Sequence, residues 1–567
     1  MINKIKQKII DTIEAEQDIK LEVPIKKPPQ EEFGDLSLPC FQPAQKQDQD
    51  PKEFAKKLVH LNFNQPERYF SKVESEGPFL NFHLNKEKIA EEFTSSLESQ
   101  GKSYFDEQQK DKQLMIEYPS PNTHKRFHVG HLRNVCIGNC LRELYKTKGY
   151  KVIPVNYIND LGAHVAKSIW GILHLEDGEI PENNRQDFFA EIYQKVSQKA
   201  DKDEQIKAEI EEVKQKIEQK TGQEWQLLEK SRDQSLKAIE EILDDLKVTH
   251  QHTYFESDVI ERGQEIIDEL LEQGIAEKGK KGAIIVDLEE YDLDTAIIRK
   301  RDGAGLYITG DLALAEKKFE TYPDLDESIY ITGNEQQHHF QQLFKILELF
   351  GFDKKMTHIG YGLISLKSGK MSSREGDVIT YDELKTRVYK KLEQETASRH
   401  KDWPEEKISN VAEKLTLAVL KFDLQKHEAQ KNITFDIEEA TNFNGYSAPY
   451  VLYVYARINS LKEESIPNPS PELDLSQLNH SLAEKLIIKM IRLEEVIDTA
   501  FDNYDPAKIT KYCFELAQLF NDYYSHCQII QGSDLKKTKA RLKLADCVQT
   551  TLEKALDLLT IEPIEEM

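Results

Sequence analysis

The sequence predicts an α/β domain on a parallel sheet, with a small α+β module before it and an all-α bundle after it. Three observations lead there. Residues 112–158 read strand, helix, strand, a unit whose right-handed crossover implies a parallel sheet. Residues from about 165 to 280 are dense in Lys, Glu and Gln at helical spacing. Residues 436–567 show recurrent amphipathic helices and little else.

The elements follow in order. A helix over 4–16 leads to a Pro-rich turn, Pro24 to Pro29. EGPFLNFHL (76–84) alternates apolar and polar residues and predicts a strand. Gly101 and the polar residues after it close this module, so residues 1–108 form one domain. Leu114 to Tyr118 is a strand, and a helix over about 129–148 follows, with Gly149 where a C-cap belongs. KVIPVNYI (151–158) is the next strand. The charged stretch 165–280 is expected to be a helical insertion with solvated faces. GAIIVDL (282–288) is a strand, and a hairpin is expected around Asp302-Gly303. A strand at 328–333, a helix over 335–350 and a strand at 357–365 complete a domain of residues 109–380. Residues 381–435 form a helical connection, and 436–567 the final bundle. No repeat of fixed period is present.

Composition narrows the classes. The chain has 567 residues, 39% of them hydrophobic and 31% charged. No run reaches the roughly 18 apolar residues of a membrane-spanning helix, and the polar amphipathic start does not resemble a secretory signal. Six scattered cysteines without a C-x-x-C pair argue against structural zinc. Cys136 and Cys140 lie one helical turn apart, which suits packing on a helix face. A reducing, cytoplasmic compartment is expected. The net charge of -25 does not itself suggest a nucleic-acid partner. Basic stretches at Lys26-Lys27, 385–391 and 536–543 could still form a track on the acidic body.

Two segments carry chemistry. His128-Val129-Gly130-His131 follows a strand and a turn at a helix start. Histidine donors, helix-end potential and a glycine permitting close approach suit nucleotide phosphates, where positioning and electrostatics dominate catalysis. Both ring nitrogens of each histidine are expected to be available as donors. Lys370-Met371-Ser372-Ser373-Arg374 sits in a Gly/Ser-rich loop, able to close over pyrophosphate and release it. Either segment alone is commonly plain surface; together they are far more specific.

These segments resemble the HIGH-like and KMSKS-like motifs of class I aminoacyl-tRNA synthetases, with a Rossmann-type catalytic domain. Within the class the chain is similar to the arginyl branch. SPNTHKRFHVGHLRN (120–134) carries the similarity, with GDLS (34–37), EGPFLNF (76–82), YITGD (307–311), GNEQ (333–336), YVLYVYAR (450–457) and the terminal Glu-Glu-Met. The resemblance runs along nearly the whole chain.

The resemblance implies ligation of L-arginine to its tRNA through an arginyl-adenylate, using ATP and Mg²⁺ that arrives with the nucleotide rather than on a protein-held metal site. It implies that Asp311 and Glu256 supply carboxylates for the guanidinium, and Tyr307 a hydroxyl. Asp311 could equally cap a helix starting at Leu312. Asn122 and Gln336 would hold the α-amino and carboxylate groups. Glu117 would anchor the amine or orient the turn, and a structural role fits it as well. His128, Gly130 and His131 would face ATP; Lys370, Met371, Ser372 and Arg374 would meet its phosphates. Ser373 stands where the class has a second lysine, and Lys125 is in place to substitute for it. Leu161 replaces a tryptophan, so a stacking surface is lost. Tyr450, Tyr453 and Arg457 would contact the anticodon loop, although Tyr450 and Tyr453 can share a packed helix face. The N-terminal module would touch the tRNA elbow. Arginine activation would need bound tRNA, and the enzyme would be a monomer. An inactive RNA-binding paralogue is disfavoured because the ATP-facing residues are present. Another class I ligase is disfavoured by the carboxylates at 256 and 311.

Overall fold

A computed structural model describes residues 1–64, 68–182, 185–279, 282–301, 306–367, 379–463, 472–531 and 534–567. The first helix, Ile2–Gln17, buries Ile2, Ile5, Ile9 and Ile13, an i, i+3/i+4 stripe. That stripe packs beside an antiparallel sheet of Leu36–Pro39, Phe79–Leu84 and Phe70–Glu76, in that spatial order. The expected strand at 76–84 is thus Phe79–Leu84, and Gly77-Pro78 turns the hairpin.

The central domain holds a five-stranded sheet. Its elements run β1 (Gln113–Glu117), α1 (Val129–Thr147), β2 (Lys151–Ile158), α2 (Gly222–Asp245), β3 (His252–Phe255), α3 (Glu256–Glu272), α4 (Tyr307–Thr321), β4 (Leu325–Gly333), α5 (Gln337–Leu349) and β5 (Lys355–Tyr361). The spatial order is β5-β4-β1-β2-β3, with every neighbouring pair parallel. Successive β1 side chains point to opposite faces. Leu114 and Ile116 join a core with α1, while Met115 joins a second core with α3, α4 and α5. Both faces are covered, which is why β1 is buried at every position. The chain leaves β1 toward β2 on one side and returns through β4 on the other. A crevice therefore opens at their carboxyl ends, where ligands of such sheets bind.

Three expectations change. The helical reading of 165–280 holds for Ala163–Leu175, Arg185–Ala200, Glu204–Glu218 and α2, most of which share a core of their own. It fails at β3, which pairs with β2 from Val155↔His252 to Ile158↔Phe255. Four residues are too few to show a period of two. The hairpin turn expected at Asp302-Gly303 lies outside the described residues. The strand Ala296–Arg299 instead pairs back to Ile284–Val286, and Tyr307 opens a helix rather than a returning strand. Residues 357–365 form two strands in separate sheets: β5, and Ile364–Leu366, which pairs with Ile433–Phe435.

The remainder is mostly helical, ending in Ala448–Glu463 (α6), Ala507–His526 (α7) and Leu535–Leu558, with shorter helices between. The N-terminal module docks on this bundle. The Met1 amino group pairs with Glu494, and Arg492 donates to the Asp35 carbonyl at 2.6 Å. Among the described residues no helix is long and apolar enough to cross a membrane.

Candidate active site

The first signature closes the end of α1. His128 is the N-cap: its Nδ1 accepts from the Gly130 amide at 3.1 Å and the His131 amide at 3.4 Å. His131 Nδ1 accepts in return from the His128 amide at 3.3 Å, a reciprocal capping box. The two rings stack with centroids 3.7 Å apart. Burial, with the nearby Lys125 charge, lowers His128 to about 4. Burial and the charges of His128 and Lys125 take His131 well below the ordinary range. Both rings are therefore neutral at pH 7. This corrects the expectation of two donors per ring: Nδ1 is committed as an acceptor, and Nε2–H is the one donor each neutral ring retains. Gly130 has a steric reason beyond ligand approach, since a Cβ there would lie 2.9 Å from His128 Cε1. Lys125 is exposed and makes no ion pair among the described residues.

Before this helix, the turn from β1 presents Asn122, bridged through its backbone to Asn159 after β2. Its side chain has no hydrogen-bond partner among the described residues. Glu117, at the end of β1, is buried and 2.6 Å from Lys318 Nζ, with Ser120 Oγ donating at 3.3 Å. The Lys318 ammonium contacts the carboxylate as a charge, without hydrogen-bond alignment. Burial opposes the Lys318 charge, but Glu117 and the Tyr330 ring 3.6 Å away hold its pKa above the usual value. Lys318 escaped the sequence reading because a lysine within a helix ordinarily marks a solvated face. Gln336 is exposed at the turn between β4 and α5.

A second cluster of acids gathers at the carboxyl ends of β2 and β3. Glu256 is the first residue of α3 and is buried. Tyr307, 64% exposed, and Asp311 lie in the first turns of α4. The two helices cross closely because residue 263 is glycine; a Cβ there would sit 2.1 Å from the Thr309 carbonyl oxygen. Asp311 lies within α4, whose N-cap is Leu306, so it does not cap a helix at Leu312. Its Oδ2 is instead 2.6 Å from His339 Nε2. Burial, then the charges of Asp160 and Asp311, raise Glu256 to about 7. Tyr157, unremarked in the sequence, is buried near Asp311, Glu256, Glu117 and Asp160, and burial with those charges pushes its phenol well up. Leu161 is buried in the core of the helical insertion, filling apolar space and not offering a stacking face. Lys370, Met371, Ser372, Ser373 and Arg374 lie outside the described residues.

Comparison with known proteins follows the same division. Residues 92–437 match the family described as tRNA synthetases class I (R), catalytic domain. Residues 1–84 match the arginyl tRNA synthetase N terminal domain, and 451–567 the DALR anticodon binding domain. An arginine–tRNA ligase of Halothermothrix orenii is 32% identical over 99% of this chain and 99% of its own length. One from Clostridium botulinum is 32% identical over 100% of this chain and 99% of its own. The chain belongs to the arginyl-tRNA synthetase family. Its fold is also that of the Thermus thermophilus arginyl-tRNA synthetase, with a TM-score of 0.82 over 100% of both chains at 23% identity.

Within this family member, the residues read from YVLYVYAR divide by burial. Tyr455 is core. Tyr450 packs against Phe514, and its hydroxyl accepts from Asn521 Nδ2 at 2.9 Å. Tyr453 is exposed, and the Arg457 guanidinium lies 4.7 Å from its ring and 4.8 Å from the ring of Tyr524. Asn521 Oδ1 accepts from Arg457 at 2.7 Å and fixes it there. Tyr524 and Asn521, on α7, were missed because their partners are over 60 residues away in the chain. Arg133 was missed as well. It is wholly buried on α1 and donates to the carbonyls of Gly362, Lys431 (2.8 Å) and Ala429 (3.1 Å).

Proposed function

We propose that this chain ligates L-arginine to its tRNA through an arginyl-adenylate, releasing AMP and pyrophosphate. The observation that carries this is that one parallel sheet brings to its crevice a neutral two-histidine helix cap and two acids, Glu256 and Asp311, that pair with no lysine or arginine among the described residues. A cationic side chain suits the acids, and a polyanion suits the cap.

In this reading Glu256 and Asp311 bind the guanidinium, with Tyr307 covering it. Asn122 and Gln336 hold the α-amino and α-carboxylate groups. Glu117, already neutralised by Lys318, orients the turn and does not bind the amine directly. The α-carboxylate oxygen attacks the α-phosphorus of ATP, forming the acyl–phosphate bond as the bond to pyrophosphate breaks. Nε2–H of His128 and of His131 donate to the phosphate oxygens as charge builds, and Gly130 leaves room for the nucleotide. Lys125, with Lys370, Met371, Ser372 and Arg374, meets the departing pyrophosphate. Mg²⁺ bound with ATP would supply charge neutralisation at the phosphates. A hydroxyl of the tRNA's terminal adenosine then attacks the activated carbonyl, and AMP leaves. Tyr450 shapes, and Tyr453 and Arg457 form, a stacking surface for anticodon bases. Six cysteines that are all buried free thiols suit a cytoplasmic enzyme, which we take to act as a monomer on tRNA.

The test is aminoacylation with a panel of amino acids, together with ATP–pyrophosphate exchange with and without tRNA. Arginine alone should be charged, and exchange without tRNA should stay near background. Preferential charging of lysine or glutamate would overturn the specificity.

A further inference from the structure

The helix α2 belongs to the insertion, outside the sheet, yet it touches both halves of the crevice through buried polar contacts. On one stripe, Ser235 Oγ accepts from the His124 amide at 2.9 Å. His124 Nε2 donates to Ser231 Oγ at 2.9 Å, and that hydroxyl donates onward to the Leu228 carbonyl at 3.1 Å. These bonds hold His124 at a φ of 60°, a left-handed conformation that such a residue rarely adopts unaided. His124 stands between Asn122 and Lys125 in the signature turn. On the adjoining stripe, Arg232 NH1 donates to Asp160 Oδ2 at 2.9 Å, with its guanidinium 4.8 Å from the Phe255 ring. Asp160 is fully buried. Its Oδ1 accepts from the Ser257 amide at 2.9 Å and its Oδ2 from the Ser257 hydroxyl at 2.7 Å. The Ser257 amide is one of the orphan donors in the first turn of α3, so Asp160 caps that helix from outside. The residue beside it is Glu256.

We propose that Arg232 is a positioning residue for the amino-acid pocket: its ion pair holds Asp160 seated on Ser257, which fixes the first turn of α3 and so the direction of Glu256. Ser231 and Ser235 do the corresponding work on the turn that carries Asn122 and Lys125. Removing the Arg232 charge leaves Asp160 buried beside Glu256 without its cation. The two acids then repel, and the end of α3 shifts. This inference rests on the reading of Glu256 as a guanidinium partner.

The experiment measures ATP–pyrophosphate exchange in the presence of tRNA, varying arginine and ATP separately, for the intact chain and for Arg232→Met, Arg232→Lys and Glu256→Gln. Arg232→Met should raise the KM for arginine about tenfold and leave the KM for ATP within about twofold. Arg232→Lys keeps the charge and should recover most of the loss. It also serves if the methionine variant does not fold. An arginine KM unmoved by either Arg232 variant, with Glu256→Gln raising it, overturns the proposal alone. Equal rises in both KM values, or no rescue by lysine, overturn it too by showing a general structural role. An arginine KM unmoved by Glu256→Gln overturns the underlying assignment of the pocket.

Discussion

At Glu256 burial and function pull in opposite directions. Asp160 and Asp311 face it with like charge, Glu218 adds more from further off, and the phenols of Tyr157 and Tyr307 lie nearby. The carboxyl therefore keeps its proton up to about 7 in the absence of arginine. A guanidinium partner must be ionised, so kcat/KM for arginine should fall as pH drops through about 7, since that ratio reports the free enzyme. The sign for stability is the reverse. Between the ordinary carboxyl range and about 7 the folded chain keeps a proton that the unfolded chain has released, so stability declines as pH rises through that window. Glu256→Gln should thus raise Tm at pH 8 while lowering kcat/KM for arginine roughly 10- to 100-fold, the scale of losing a charged hydrogen bond. A pH–rate profile flat from 6 to 8, or a lower Tm for the glutamine variant, would contradict this.

Among the elements, the start of α1 shows what a sequence can and cannot convey. The strand over 151–158 and the helix over 129–148 are legible, because long apolar patterns dominate short-range noise. The H-x-G-H segment is legible as a helix start for the same reason. Which histidine nitrogen remains free is not legible, since it depends on a cap that forms only when the backbone closes. The short β3 and the break at Gly362 are hidden because three or four residues leave no measurable period. Lys125, by contrast, is singled out by the segment's resemblance to the arginyl branch, and its exposed charge, which makes no ion pair among the described residues, adds to burial in lowering His128, His131 and His164. A cation so placed should stabilise pyrophosphate as it departs, standing in for the lysine absent at Ser373. Lys125→Ala should slow ATP–pyrophosphate exchange about 10²- to 10³-fold, the scale of losing one transition-state donor, and about as severely as Lys370→Ala. An exchange rate near normal would remove Lys125 from the mechanism.

For the whole molecule, the largest core joins the N-terminal module, one face of the sheet and the C-terminal helices, so the chain's ends are packed into the body of the enzyme. The division into module, sheet domain and bundle is visible in the sequence through composition and period. The contacts across it are not, because Arg492 meeting Asp35, or Lys554 meeting Asp106, spans more than 400 residues. The same distance effect hid Tyr524, although Tyr453 and Arg457 were visible. In the fold the three make a single stacked array, fixed by Asn521, on a helical face remote in sequence from the acids and histidines. Arg457 is tied to Asn521 by one hydrogen bond and otherwise lies between two partly exposed rings, so its loss should leave the core intact. Tyr453→Ala and Arg457→Ala should each raise the KM for tRNA roughly tenfold, within the 1–3 kcal/mol that base stacking on an aromatic side chain contributes. Because activation is proposed to need bound tRNA, the same rise should appear in exchange and in charging, while the KM for arginine at saturating tRNA and the Tm stay put. Steady-state titration of tRNA in both assays distinguishes this from a structural role, for which Tm would fall and the arginine KM would move with it.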